Sequence, residues 1–170
     1  MESLKNKNIE LVNGFGKYSA SIKEVIQFVD FDLNSQLSIY NKVKELGYSE
    51  KYQIVAILQD ILENKCVSYE YLLGKFDKDI VEVIKILDID KIKGSMYEFD
   101  AVKEACKNEI AMVVKFADRL SKLEQAFLGM DSRYIERILL STEFCYLPNY
   151  SGKFKLALRN EVIRLKNLAI

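Results

Sequence analysis

The fold class is decided by residues 54–64, which read IVAILQDILEN. Apolar side chains surround nearly the whole circumference of this segment, so it predicts a buried helix. Gln59 and Asp60 lie in its middle, and a buried carboxylate without a partner either carries a large desolvation cost or takes up a proton. We therefore expect another group of the protein to hold Asp60.

A second acidic residue interrupts an apolar helix further along the chain. Residues 113–120 read VVKFADRL, and Asp118 stands among positions with the i, i+3, i+4 spacing of a core-facing helix. Two embedded acids have two interpretations. Asp60 and Asp118 either converge on one metal ion or cavity, or pair with cations such as Arg119 or Lys115 as structural ion pairs.

The rest of the sequence has helical periodicity, with one proline and seven glycines and no sustained strand-type alternation. It predicts an all-α fold, a single helical bundle of roughly eight helices over residues 1–170 with a loosely ordered lead-in over 1–18. Capping residues and breaks place the predicted helix starts near Ser49, Ser68, Asp77, Ser95, Asn108, Asp131 and Lys153.

Composition excludes several classes of function. The 170 residues include 25 basic and 25 acidic side chains and no histidine. Without histidine there is no Ser-His or Cys-His nucleophile and no imidazole metal site. A net charge of zero argues against a nucleic-acid partner, and the absence of an apolar run of about 20 residues argues against a membrane span or membrane partner. Three widely spaced cysteines and no signal peptide predict a reduced, cytoplasmic protein.

Two motifs in the right order carry a resemblance to a known family. Residues 58–64, LQDILEN, resemble the L-H-D-x-x-E-D segment of the HD-domain guanosine tetraphosphate hydrolases, the RelA/SpoT group. Residues 114–123, VKFADRLSKL, are similar to their K-x-A-D-R-L-x-N-L segment. The similarity covers roughly residues 35–165, and it implies an HD-like domain.

The resemblance also shows what this chain lacks. In that family two histidines and two aspartates hold a metal, usually manganese. The histidine of the H-D pair falls on Gln59 and the early histidine falls near Ser35, whereas the two aspartates fall on Asp60 and Asp118. Amide and hydroxyl groups are poor ligands for a transition metal compared with imidazole. No metal cofactor is therefore expected, and these four positions are remnants of a metal site.

The resemblance marks further candidate site residues. Of the acidic pair that positions the attacking water, Glu63 remains as a possible catalytic remnant beside Asn64. Lys122 replaces an asparagine that touches the nucleotide, and with Arg119 it is a candidate substrate-binding residue. At i, i+4 spacing Lys122 is also placed to neutralise Asp118, which would put an internal cation in place of the metal.

Three functional hypotheses follow. The first is a binding or regulatory pseudoenzyme of the RelA/SpoT hydrolase type, whose partner is a guanine nucleotide or a protein. The second is an active phosphohydrolase that holds Mn²⁺ or Mg²⁺ at a rebuilt site of Asp60, Glu63 and Asp118. The third is a helical interaction module that uses some of the ten tyrosines and nine phenylalanines as an interface.

Overall fold

The computed structural model of the chain is all-α, as the sequence predicts. It describes residues 15–29, 33–62, 64–88, 96–126, 130–150 and 152–168, the side chains of residues 96 and 97 excepted. These ranges contain nine α-helices and no β-strand. The chain divides into two compact units, Met1–Asp88 and Ile89–Ile170. The single HD-like domain stays a prediction.

Five α-helices form the first unit, after a short 3-10 helix at Gly16–Tyr18. Helix α2 packs against α3, and both α3 and α4 pack against α5. Their apolar faces meet in a core that excludes water, in which Ile22, Ile39, Ile54 and Ile84 are completely buried. The helices are α1 (Ser19–Ile26), α2 (Asn34–Glu45), α3 (Glu50–Leu58), α4 (Tyr69–Leu73) and α5 (Lys78–Asp88).

The packed part of the first unit begins at Phe15, inside the predicted lead-in of residues 1–18. Residues 1–14 lie outside the described part of the chain. Phe15 and Tyr18 are both buried, and the Tyr18 hydroxyl donates a hydrogen bond to Asp77. Two aromatic side chains thus pack residues 15–18 against the unit, while the loosely ordered lead-in stays a prediction.

Helix α3 ends before the polar pair that the sequence places inside it. Its last residue is Leu58, whose carbonyl accepts a 3.1 Å hydrogen bond from the Ile61 amide. This i to i+3 bond tightens the chain into a turn. Asp60 therefore lies in the turn after the helix, and the prediction of a helix over residues 54–64 is wrong beyond Leu58.

The second unit is built around its longest helix, α7, which packs against α6 and α9. A five-residue π-helical turn, Thr142–Tyr146, follows α8, and a 3-10 helix at Leu147–Asn149 contains Pro148. The α-helix thus ends at Ser141, before Pro148. The helices are α6 (Met96–Ala105), α7 (Glu109–Gln125), α8 (Ser132–Ser141) and α9 (Lys155–Leu168).

Both ends of α7 are held by side chains. Asn108 Oδ1 accepts hydrogen bonds from the amides of Ile110 and Ala111 at 3.0 and 3.1 Å, as a helix N-cap does. At the other end the Arg164 guanidinium donates to the carbonyls of Leu123 and Ala126 at 2.8 and 3.2 Å. Because these contacts satisfy backbone groups at the two ends, they fix the helix that carries Asp118, Arg119 and Lys122.

None of the helices in the described ranges combines the length and the hydropathy that a membrane span requires.

Candidate functional site

Asp118 forms an ion pair with Lys122 on the same helix. The ammonium nitrogen of Lys122 lies 2.5 Å from Asp118 Oδ2, with the i, i+4 spacing that the sequence predicts. The Asp118 side chain is only 16% exposed, whereas that of Lys122 is 47% exposed. A protein cation therefore already occupies one oxygen of the carboxylate on which a metal would depend.

Arg119 is buried and is held by three different elements of the second unit. One terminal nitrogen pairs with Glu98 of α6, and the other donates to Ser141 Oγ at 3.0 Å. The guanidinium carbon lies 4.2 Å from the centre of the Tyr146 ring, within the range of a cation–π contact. Arg119 is 6% exposed, so these contacts replace water around a charge that the core would otherwise exclude.

The same network leaves one donor without a partner. Arg119 Nε is buried and makes no hydrogen bond, while the Tyr146 hydroxyl donates to Glu98 at 3.3 Å. A guanidinium carries five N–H donors, and its two terminal nitrogens are the ones engaged here. Arg119 therefore binds Glu98 and Ser141 through its terminal nitrogens, while its Nε–H donor stays unused.

Arg119 and Lys122 both line a cleft in the second unit with a volume of about 760 Å³. The remaining walls come from α6, α8 and the π-helical turn, and they include Arg133, Arg137 and Phe144. The two predicted substrate-binding residues are therefore neighbours along one cleft. The volume lies within the roughly 300–1,000 Å³ of small-molecule sites.

A thiol also lines this cleft but is not suited to nucleophilic chemistry. Burial raises the pKa of Cys145, and the nearby Arg119 charge offsets that rise only in part. The reactive form of cysteine is the thiolate, so a raised pKa leaves the side chain as an inert thiol at neutral pH.

In the first unit, Asp60 is held by a glutamine. Gln36 Nε2 of α2 donates a 2.5 Å hydrogen bond to Asp60 Oδ2. Gln36 is only 5% exposed, and its Oε1 is buried without a hydrogen-bond partner. The expectation that another group holds Asp60 is confirmed by this neutral amide, and Asp60 itself is half-buried rather than fully buried.

Asp60 acts electrostatically on a second carboxyl group in the same unit. Burial raises the pKa of Asp88 above its ordinary value of 3.8, and the negative charge of Asp60 raises it further. The folded state therefore binds the Asp88 proton more tightly than the unfolded chain does. The stability should fall as the pH rises from 3.8 through the folded pKa.

We expect Asp88→Asn to raise the melting temperature at pH 7, because an amide removes the desolvated charge and its repulsion by Asp60. Below pH 3.8 the aspartate is protonated in both states, so the difference between variant and parent should disappear. Melting curves from pH 3 to pH 8 measure this effect. Asp100→Asn, at an exposed position, is the control and should show no such crossover. A lower melting temperature for Asp88→Asn at pH 7 would contradict the assignment.

The chemistry of the remaining predicted positions does not suit a transition metal. Gln59 is buried in the turn after α3, and Ser35 is exposed on α2. Glu63 lies outside the described residues. Asp60 belongs to the first unit and Asp118 to the second, so their convergence stays a prediction. Since amide and hydroxyl oxygens stand where imidazoles would be needed, the residues present do not fit manganese. Among the residues the structure describes, no group of three or more cysteine, aspartate or glutamate side chains could hold a metal ion.

Two residues of these networks were missed by the sequence analysis. Glu98 was not among the predicted site residues, but the structure pairs it with Arg119. Gln36 shares the apolar stripe of α2 with Ile39 and Val43, both of which are completely buried. A polar residue on such a stripe is the signal that could have identified Gln36, because a buried amide needs a hydrogen-bond partner.

No protein-family model, curated protein or solved structure matches the chain.

Proposed function

We propose that the chain is a binding or regulatory domain related to the HD-type guanosine tetraphosphate hydrolases, without their hydrolytic activity. The observation that carries this proposal is the Asp118–Lys122 ion pair. Hydrolysis by a metal-bound hydroxide needs a cation at the carboxylates, which lowers the pKa of the attacking water. A lysine ammonium balances the charge of the aspartate, but it binds no water molecule as a metal ion does. It therefore stabilises the folded site and does not supply the nucleophile for hydrolysis.

The basic lining of the cleft supports the binding half of the proposal. Four basic side chains line the cleft: Arg119, Lys122, Arg133 and Arg137. A positively charged lining attracts anions, and a guanine nucleotide is an anion. A cytoplasmic location is part of the proposal, and the free thiols of Cys66, Cys106 and Cys145 support a reducing environment.

The proposal predicts no turnover. Purified full-length protein, incubated with guanosine tetraphosphate and Mn²⁺ or Mg²⁺, should release no pyrophosphate or phosphate above a blank, and elemental analysis should find no stoichiometric manganese. The same nucleotide should raise the melting temperature, because a ligand present at about 100 times its Kd adds about 2.7 kcal/mol to the free energy of unfolding.

Two variants control this experiment. Lys122→Asn removes the internal cation and should cost about 0.5 kcal/mol of stability without restoring hydrolysis. Lys103→Asn makes the same change at an exposed position of α6 and should have almost no effect. Metal-dependent release of phosphate by the parent protein would refute the proposal and favour a rebuilt carboxylate site.

A further inference from the structure

One face of α8 supplies a run of side chains to the cleft of the second unit. Arg133 and Arg137 are spaced i, i+4, and Leu140 and Phe144 continue the same face into the π-helical turn. All four are exposed. This face therefore presents two guanidinium groups at one end and apolar side chains at the other.

The available positive charge of the cleft lies on this face. Lys122 is occupied by Asp118 and Arg119 by Glu98. Arg133 has only a 3.9 Å contact with Asp131 between two exposed side chains, and such a surface contact contributes little.

Arg137 is the freer of the two α8 arginines. It has no carboxylate partner among the described residues, and its guanidinium lies 5.8 Å from the centre of the Tyr134 ring. The lining of the cleft includes four cations and two carboxylates, Glu98 and Glu136, and Asp118 balances the charge of Lys122, so the net charge is +1.

Other side chains that line the cleft fit a mixed ligand. The buried Arg119 holds the Ser141 hydroxyl in place. Tyr134 and Phe144 offer aromatic faces, and the Phe144 side chain is 69% exposed. Guanidinium groups bind phosphate oxygens in pairs, and aromatic side chains stack on planar rings. The volume of about 760 Å³ accommodates a ligand that carries both groups.

We propose that this cleft binds a phosphorylated small molecule with a planar ring, the phosphate on Arg133 and Arg137 and the ring against Phe144 and Tyr134. The inference rests on the proposed function as a binding domain and names the site and the class of ligand. A phosphate monoester offers three acceptor oxygens to the two guanidinium groups, whereas a carboxylate offers two.

A fluorescence titration tests the position of the site. The chain has no tryptophan, so Phe144→Trp introduces a single reporter that keeps an aromatic ring in the cleft. Leu156→Trp on α9 is the matched control, because Leu156 is also 69% exposed but does not line the cleft. AMP should change the emission of the Phe144→Trp protein and leave that of the Leu156→Trp protein unchanged.

The parts of the probe are then tested separately. Inorganic phosphate and adenosine should each bind at least about tenfold more weakly than AMP, because each lacks one of the two recognised groups. Phenyl phosphate should bind more tightly than benzoate, which distinguishes phosphate from carboxylate recognition. Equal binding of the last pair would overturn the assignment to phosphate.

Charge variants in the Phe144→Trp background test the contacts. Arg137→Gln should weaken AMP binding about tenfold, because it removes a charge-assisted contact. Arg159→Gln removes the same charge from an exposed position of α9 and should leave affinity unchanged. Glu136→Gln should tighten binding about twofold to threefold, because it removes a repulsive carboxylate from the lining.

Two further results of the fluorescence titrations would overturn the inference. One is the absence of any emission change with AMP, GMP and phenyl phosphate up to about 5 mM, a concentration that detects even weak binding. The other is an equal loss of affinity in Arg137→Gln and Arg159→Gln. If a nucleotide raises the melting temperature equally in the parent and in Arg137→Gln, the cleft is not the binding site, but the proposed binding function stands. Phosphate release has the opposite meaning, because it refutes the proposed function and leaves the cleft as a binding site.

Discussion

Glu98→Ala is expected to lower the free energy of unfolding by about 3 kcal/mol, because it leaves the buried Arg119 guanidinium without its carboxylate. The Glu98 side chain is 27% exposed, so water compensates part of the loss. The same change removes the acceptor of the Tyr146 hydroxyl. Urea unfolding followed by circular dichroism measures the effect.

Two further variants separate the ion pair from other effects of the alanine. Glu104→Ala removes the carboxylate of an exposed pair with Lys107 on the same part of the chain, and it should cost less than about 1 kcal/mol. The double variant Glu98→Ala with Arg119→Met should recover much of the stability, since it removes both charges. If the double variant is as unstable as the sum of the two single variants, the pair does not act as a unit.

Phe116→Ala is expected to cost about 4 kcal/mol, because it deletes a completely buried ring from the centre of the second unit. The Phe116 ring stacks on Tyr150 with centroids 4.1 Å apart and meets the edge of Tyr146 at 5.2 Å. Loss of these contacts should also reduce the near-ultraviolet circular dichroism, which arises from tyrosine and phenylalanine in a chain without tryptophan.

Phe99→Ala is the matched control for this deletion. Phe99 lies on α6 of the same unit and is 44% exposed, so its removal should cost no more than about 1 kcal/mol. Phe116→Leu keeps most of the apolar volume and should cost about 1.5 kcal/mol. A cost below about 1 kcal/mol for Phe116→Ala would show that the site collapses around the lost ring.

The Asp118–Lys122 pair shows how far local reasoning reaches. Both residues lie on one helix whose period could be seen in the sequence, so i, i+4 spacing was enough to predict the contact. The caps at Ser68 and Asp131 were predicted for the same reason, and each accepts a hydrogen bond from a backbone amide within three residues, whereas the Ser49 side chain makes no such bond.

The contacts of Asp60 and Arg119 show where that reasoning stops. The need for a partner at Asp60 followed from the cost of burying a charge, but Gln36 is 24 residues away and no local rule selects it. Arg119 was expected near Asp118, yet it reaches Glu98 on another helix. The cleft beside α8 depends on such packing as well, since its walls come from several helices.

The sequence by itself determined that the chain is all-α, that its apolar helices are buried, and that it has no imidazole for a metal or a nucleophile. These properties follow from composition and from contacts within one or two helical turns. Only the tertiary structure decided which side chains pair with Asp60 and Arg119, and that Arg137 has no carboxylate partner in the described part of the chain. Those pairings join helices distant in the chain, and their geometry is set by the packing of the core rather than by spacing along the sequence.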